Sequence, residues 1–130
     1  MRLTHGAQTI QTIEGKRMIK SAAIGTTSVE EIRWLSDNLI ANMRQWRGDG
    51  WGYVADISKM SPATPDISGE LVNFHKHLAD AGCKALAFVV FGSYVLTAQA
   101  KKHQKQSSTE LKEGYFQNEV EAMEWLEGIL

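Results

Sequence analysis

Apolar and β-branched positions first gather in two short runs, Thr9-Ile10-Gln11-Thr12-Ile13-Glu14 and Arg17-Met18-Ile19-Lys20-Ser21-Ala22-Ala23-Ile24. Gly15-Lys16 separates them and Gly25 ends the second, a layout that predicts an antiparallel hairpin. The period then changes. Ile32, Leu35, Leu39, Met43 and Trp46 recur at spacings of three and four, the apolar stripe of a helix. Ser28-Val29-Glu30-Glu31 opens that helix as a capping box: the Ser28 hydroxyl accepts from the Glu31 amide, and the Glu31 carboxylate reaches back. Gly48-Asp49-Gly50 closes it.

Trp51-Gly52-Tyr53-Val54-Ala55-Asp56-Ile57 reads as a central strand, and Ser58 to Thr64 as a loop. Thr64-Pro65-Asp66 is a helix start, with Thr64 placed to cap, Pro65 where no N–H is needed, and Asp66 at the positive end of the dipole. Leu71, Phe74, His75 and Leu78 share one face until Ala81-Gly82. Ala85 to Phe91 is apolar throughout, which suits a strand covered on both faces. After Gly92-Ser93, Tyr94 to about Gln106 favours helix, Ser107-Ser108-Thr109 a loop, and Tyr115-Phe116-Gln117 a short edge strand. Asn118 begins a final helix whose expected buried stripe is Val120, Met123, Leu126 and Leu130. Strands alternating with helices imply parallel pairing and right-handed crossovers in the centre, so the expected class is α/β with a mixed sheet. No repeat or linker divides residues 1–130, which are expected to form one domain.

Composition narrows the function more than the fold. With 130 residues, 43% of them hydrophobic and a net charge of −1, the chain is globular and has no excess of basic residues for nucleic acid. The longest apolar run is too short for a membrane span, and Met1-Arg2-Leu3-Thr4-His5-Gly6 does not read as a signal peptide. Cys83 has no second cysteine to pair with, and the expected compartment is the cytoplasm.

The strand and loop from Trp51 to Ser58, and the ending Tyr115-Phe116-Gln117-Asn118-Glu119-Val120-Glu121-Ala122-Met123-Glu124-Trp125-Leu126, carry a resemblance to a known family. An aromatic residue, an acidic helix start and a Trp-Leu pair resemble a phrase of the SpoIIAA-like branch of the STAS (sulphate transporter and anti-sigma factor antagonist) superfamily. In element order the likeness spans nearly the whole chain. It implies a four- to five-stranded mixed sheet with an antiparallel N-terminal hairpin and about four helices packed mainly on one side. The family's phosphoacceptor motif, Asp-Ser-Ser-Gly at the start of the second helix, matches Asp66-Ile67-Ser68-Gly69, with Ile67 in place of the first serine. The resemblance thus carries a phosphoacceptor role only onto Ser68, where the added charge would sit at the positive end of a helix. Ser68 is equally an ordinary helix-start residue.

A second candidate is the edge formed by the carboxyl ends of the strands, where ligands gather in sheets of this kind. It comprises Asp56, Ile57 and Ser58 after one strand and Gly92, Ser93 and Tyr94 after the next, all also ordinary turn residues, with Asp66 and Gly69 beside them. His75 and His77 point to opposite sides of a helix and cannot share an ion, and His103, among Lys101, Lys102 and Lys105, reads as a solvated position, so no metal is expected. Cys83 reads as a small core or boundary residue. Trp34 and Trp125 lie off the main stripes and are candidates for a partner surface as well as for a wide buried face. No nucleophile elbow, phosphate-binding loop or dinucleotide motif is present. The expectation is a non-enzymatic domain without cofactor that binds a protein partner or a second copy of itself. The alternative is a carrier of a small apolar or lipid-like ligand, similar to CRAL-TRIO proteins, with the helix after Ser93 and the last helix as its gate.

Overall fold

The computed structural model describes residues 2–130. The two β-branched runs pair as strands β2 (Gln8–Thr12) and β3 (Met18–Gly25), antiparallel, with Ile10 opposite Ser21 and Thr12 opposite Ile19. A further strand, β1 (Arg2–His5), extends the hairpin outward. None of its side chains is buried, so it has no apolar periodicity that a sequence reading would detect. With β4 (Trp51–Met60), β5 (Cys83–Val89) and β6 (Lys112–Phe116) the sheet has six strands rather than four or five, in the order β1-β2-β3-β4-β5-β6. From β3 onward every pair is parallel, which requires a long connection between neighbours, here a helix each time.

The first helix, α1 (Val29–Met43), has its capping box in place: Glu31 N donates to Ser28 Oγ at 3.1 Å and Ser28 N to Glu31 Oε1 at 3.2 Å. The same carboxylate accepts from the Ala7 amide, tying the β1–β2 turn to the helix. Gly6 sits over it at φ +58°, and a Cβ there would lie 2.3 Å from Glu31 Oε2, so the position admits only glycine. The expected helical stripe ends at Met43; Trp46 falls in a single 3-10 turn, Arg44–Trp46, where it is half-buried.

Helix α2 (Pro65–Asp80) starts on Pro65, but Thr64 does not cap it. The Thr64 hydroxyl instead donates to the Asp66 carboxylate, which holds that carboxyl below its ordinary range. The expected loop from Ser58 shortens because β3 runs to Gly25 and offers partners to Lys59 and Met60, prolonging β4. Helix α3 (Tyr94–Ser107) is capped by Ser93, whose Oγ accepts from Leu96 N at 3.2 Å. Asn118 caps α4 (Glu119–Ile129) by accepting from Glu121 N at 3.0 Å. The buried face of α4 is Ala122 and Leu126, with Met123, Trp125 and Leu130 partly covered. Val120, expected in that face, is 66% exposed, because two positions before Ala122 lies on nearly the opposite side of a helix. Strand β6 begins at Lys112 and ends at Phe116, earlier than expected at both ends.

Alternation along the central strands divides the core in two. Tyr53, Ala55, Leu86 and Phe88 face α1, α2 and α3, together with Ile32, Leu35, Leu39, Phe74, Leu78, Leu96 and Ala100. Val54, Ala85, Ala87 and Val89 face α4 and meet Ala122 and Leu126. Three helices therefore cover one face and a single helix the other, in keeping with packing mainly on one side.

Candidate functional site: a cavity beneath three helices

Where three helices converge on large aromatic side chains of the sheet, the surfaces do not fill the space between them. A cavity of about 40 Å³ remains, walled by Ile32 and Leu35 of α1, Phe74 and His75 of α2, Leu96, Ala100 and His103 of α3, and Ala23, Tyr53, Ala55 and Phe88 of the sheet. Asp56, Ile57, Met60, Leu71 and Gln99 also border it and are half-exposed, marking its rim near the carboxyl end of β4. The volume is far below the several hundred Å³ expected of a drug-sized or acyl-chain pocket. At roughly 10–15 Å³ per water on this measure, it corresponds to about three waters, well short of the roughly 150 Å³ that holds a benzene ring.

Most polar groups around the cavity are partnered. Gln8 Nε2 donates to Thr27 Oγ1 at 3.1 Å. The Tyr53 hydroxyl and Ser21 Oγ share a short hydrogen bond, and burial pushes the Tyr53 phenol far above its ordinary range. Gln99 clasps the backbone of Ala63, accepting from its N at 2.9 Å and donating to its O at 3.1 Å. Asp56 Oδ1 accepts from Ser58 N at 3.1 Å and Ser58 Oγ at 2.6 Å, a turn in which the aspartate folds back on its own strand.

His75 is the exception. It is 2% exposed, with Nδ1 2.9 Å from the Leu71 carbonyl and Nε2 buried without any partner. A carbonyl only accepts, so Nδ1 carries the proton and Nε2 presents a lone pair. The rings of Phe74 and Phe88 stand 6.3 Å and 6.2 Å from the imidazole. In this apolar setting burial lowers the His75 pKa, which keeps the ring neutral and Nε2 an acceptor.

The second histidine overturns its sequence reading. His103 is 4% exposed, not solvated, and its Nε2 lies 3.0 Å from Ser68 Oγ. Burial foremost, then the neighbouring His75 and Lys102, brings its pKa down to about 4. The lysines that suggested a wet face project outward, while Leu96, Ala100, His103 and Ser107 form the buried stripe. Their spacings of four, three and four were visible in the sequence.

Among the other candidate residues, Ser68 is half-buried against α3, whereas Asp66 and Gly69 are exposed. A phosphate on Ser68 would have to break the His103 contact. Gly92 and Tyr94 are exposed at the strand-end edge, apart from the cavity, and Ser93 serves as the α3 cap. Asp56 and Ile57 do border the cavity, while Ser58 acts through Asp56. Trp34 is half-buried and stacked on His5 at 5.3 Å, and Trp125 packs on Phe116 at 5.4 Å, so both are largely engaged within the chain. His77 is exposed and His75 buried, as opposite helix faces require. The Cys83 thiol is buried, and burial raises its pKa well beyond the range of a reactive thiol. Among the described residues no three His, Cys, Asp or Glu side chains gather as a metal site, and no helix is long and apolar enough to cross a membrane.

One further group escaped the sequence reading. Glu113 on β6 accepts from the Tyr115 hydroxyl at 2.9 Å, leaves Oε2 buried and unpartnered, and has its pKa raised to about 7 by burial.

No family model matches the chain, and no curated protein does. Among solved structures, an uncharacterized protein of the DUF3478 family with a SpoIIAA-like fold, from Shewanella loihica PV-4, is 17% identical with a TM-score of 0.66. The match covers 95% of this chain and 96% of that one. Strand order, the N-terminal hairpin and the helices on both faces agree with that likeness, and the chain has a SpoIIAA-like, STAS-type fold.

Proposed function

We propose that this chain is a non-enzymatic binding domain that receives a small, mainly apolar ligand between the sheet and helices α1–α3. The observation that carries the reading is the unmet lone pair of His75 Nε2 beside an apolar void. A buried acceptor without a partner costs about 1–3 kcal/mol, and a ligand that supplies a donor recovers it. The occupant is smaller than the acyl chain of a lipid carrier. Rim residues Met60, Leu71 and Gln99 offer the route in from the carboxyl end of β4. Native mass spectrometry of gently purified protein tests the proposal. A retained mass on the order of tens of daltons, for an occupant of about three or four heavy atoms, lost on denaturation, supports it. A bare chain whose melting temperature no small apolar compound raises would overturn it.

A second reading, docking of a protein partner or another copy at the strand-end edge, is supported by a separate observation. Ile24, Phe91, Tyr94 and Val95 are large apolar side chains left exposed there, and Phe91 stands at φ +48° with 76% of its surface in solvent. Sedimentation over a range of concentrations tests self-association: a mass that rises with concentration and falls back in Phe91→Asn supports this edge, and a constant monomer removes the self-docking form.

A further inference from the structure

We infer that copies of this chain associate head to tail, the outer face of α3 in one copy lying antiparallel against the outer face of α4 in the next. This rests on the self-docking reading, extends the strand-end edge along α3, and names the surface that meets it.

The two helices carry opposite charge. Helix α3 has Lys101, Lys102 and Lys105 and no acidic residue, whereas α4 has Glu119, Glu121, Glu124 and Glu127 and no basic one. Some of these charges are used within the chain: Lys20 holds Glu119, Lys16 holds Glu127, and Lys101 lies over the Tyr115 ring. Lys102, Lys105, Glu121 and Glu124 are exposed, and among the described residues none of them has an ion-pair partner. Like charges a turn apart repel, so each pair is relieved when the opposite sign lies over it.

Spacing supplies the register. Ala98, Lys102 and Lys105 stand on the exposed side of α3 at steps of four and three. Gly128, Glu124 and Glu121, taken backwards along α4, are exposed and repeat those steps. Antiparallel packing sets Ala98 against Gly128, where two small residues let the backbones approach, Lys102 against Glu124, and Lys105 against Glu121. It also brings the positive end of each helix beside the negative end of the other. Exposed ion pairs alone contribute little, but apolar side chains flank both ends of the contact: Tyr94 and Val95 at one and Val120 at the other, all more than half exposed. Since α3 and α4 cover opposite faces of the sheet, they cannot meet within one copy. Each copy in a pair keeps one helix free, which extends the assembly into a chain or closes it into a ring.

Charge reversal tests this in the full chain, by sedimentation over a range of concentrations. Lys102→Glu/Lys105→Glu and Glu121→Lys/Glu124→Lys should each weaken association by about tenfold or more. An equimolar mixture of the two variants should restore it, because each reversed helix then meets its complement. A wild-type chain that stays monomeric overturns the inference together with self-docking. Variants that associate as tightly as wild type overturn the helix pairing and leave docking at the edge standing. Variants that are weakened but stay apart when mixed overturn the pairing as well. Should a variant not fold, the wild type alone decides: its association is expected to weaken as salt rises, and association that salt leaves unchanged would contradict the inference.

Discussion

The two faces of the same sheet solve packing differently. Toward α4 the central strands present Ala85, Ala87, Val54 and Val89, and one helix lies close against them. The approach is so tight that a Cβ on Gly52 would meet Leu130 Cδ1 at 3.0 Å and Leu126 Cδ2 at 3.1 Å, and one on Gly114 would lie 3.3 Å from Trp125 Cδ2. Arg17 fastens the end of that helix, donating to Leu130 O at 2.9 Å and to Asp49 O at 2.9 Å. Toward α1–α3 the same strands present Tyr53, Leu86 and Phe88, and three helices arch over them. Small residues let one helix lie close against the sheet, whereas large rings under three helices leave a small void and an unmet acceptor. The larger part of the buried core lies toward α1–α3, and the void sits within it.

The largest effect is expected where packing is tightest. Leu126→Ala on the α4 face should lose about 3 kcal/mol in urea unfolding, and a loss below about 1 kcal/mol would mean that this face is looser than described. A paired insertion sharpens the contrast. Ala87→Leu adds methylenes against α4 and should cost about 2 kcal/mol. Ala100→Leu adds the same groups toward the cavity and should change stability by less than about 1 kcal/mol. Equal costs at the two sites would erase the distinction between the faces.

The titrating groups on the cavity side of the sheet make a third contrast. His75 and His103 are held neutral, with pKa values below the ordinary 6.5. The unfolded chain therefore binds more protons below pH 6.5, and these two residues make stability fall as pH drops from there toward about 4. Glu113 works the other way. Its pKa is raised from 4.5 to about 7, so its contribution is present below pH 4.5 and is lost as pH rises through about 7. Glu113→Gln keeps an acceptor for the Tyr115 hydroxyl while removing the charge. It should stabilise the protein at pH 8 by on the order of 1 kcal/mol, discounted for partial exposure, and change little at pH 5. Denaturation midpoints at both pH values check this, and an equal shift at both would contradict it. The smallest effect belongs to the exposed edge. Phe91→Asn replaces a bulky residue in the left-handed region by one that tolerates it, and should gain about 0.5–1 kcal/mol with no loss of core. A destabilised variant would show that the Phe91 ring packs where it now lies open.

The sequence was most legible where a local rule and the tertiary fold agree. The Ser28 box and the Ile32–Met43 stripe each carry their own signal and stand where expected. The apolar run gives β5, but that strand spans Cys83–Val89 and leaves Phe91, expected in the buried strand, exposed at φ +48°. Strand β1 was invisible because an edge strand without buried side chains has no hydrophobic period. Val120 was misplaced because a stripe chosen by residue type passed over Ala122, a small residue that α4 buries completely. The site was harder still. His103 had the right spacing to be buried, but three neighbouring lysines hid it, and a lone histidine on a helix gives no hint that one nitrogen will lack a partner. A void arises from the meeting of side chains on seven elements spread along the sequence, and no single segment records it.

The most direct test of the cavity as a binding site compares wild type with Ala100→Leu in saturation-transfer NMR against small neutral compounds of about three or four heavy atoms. The account predicts transfer to the compounds from wild type and its loss in the filled variant, with the fold intact in both. Equal transfer from the two proteins would place binding elsewhere and contradict the account.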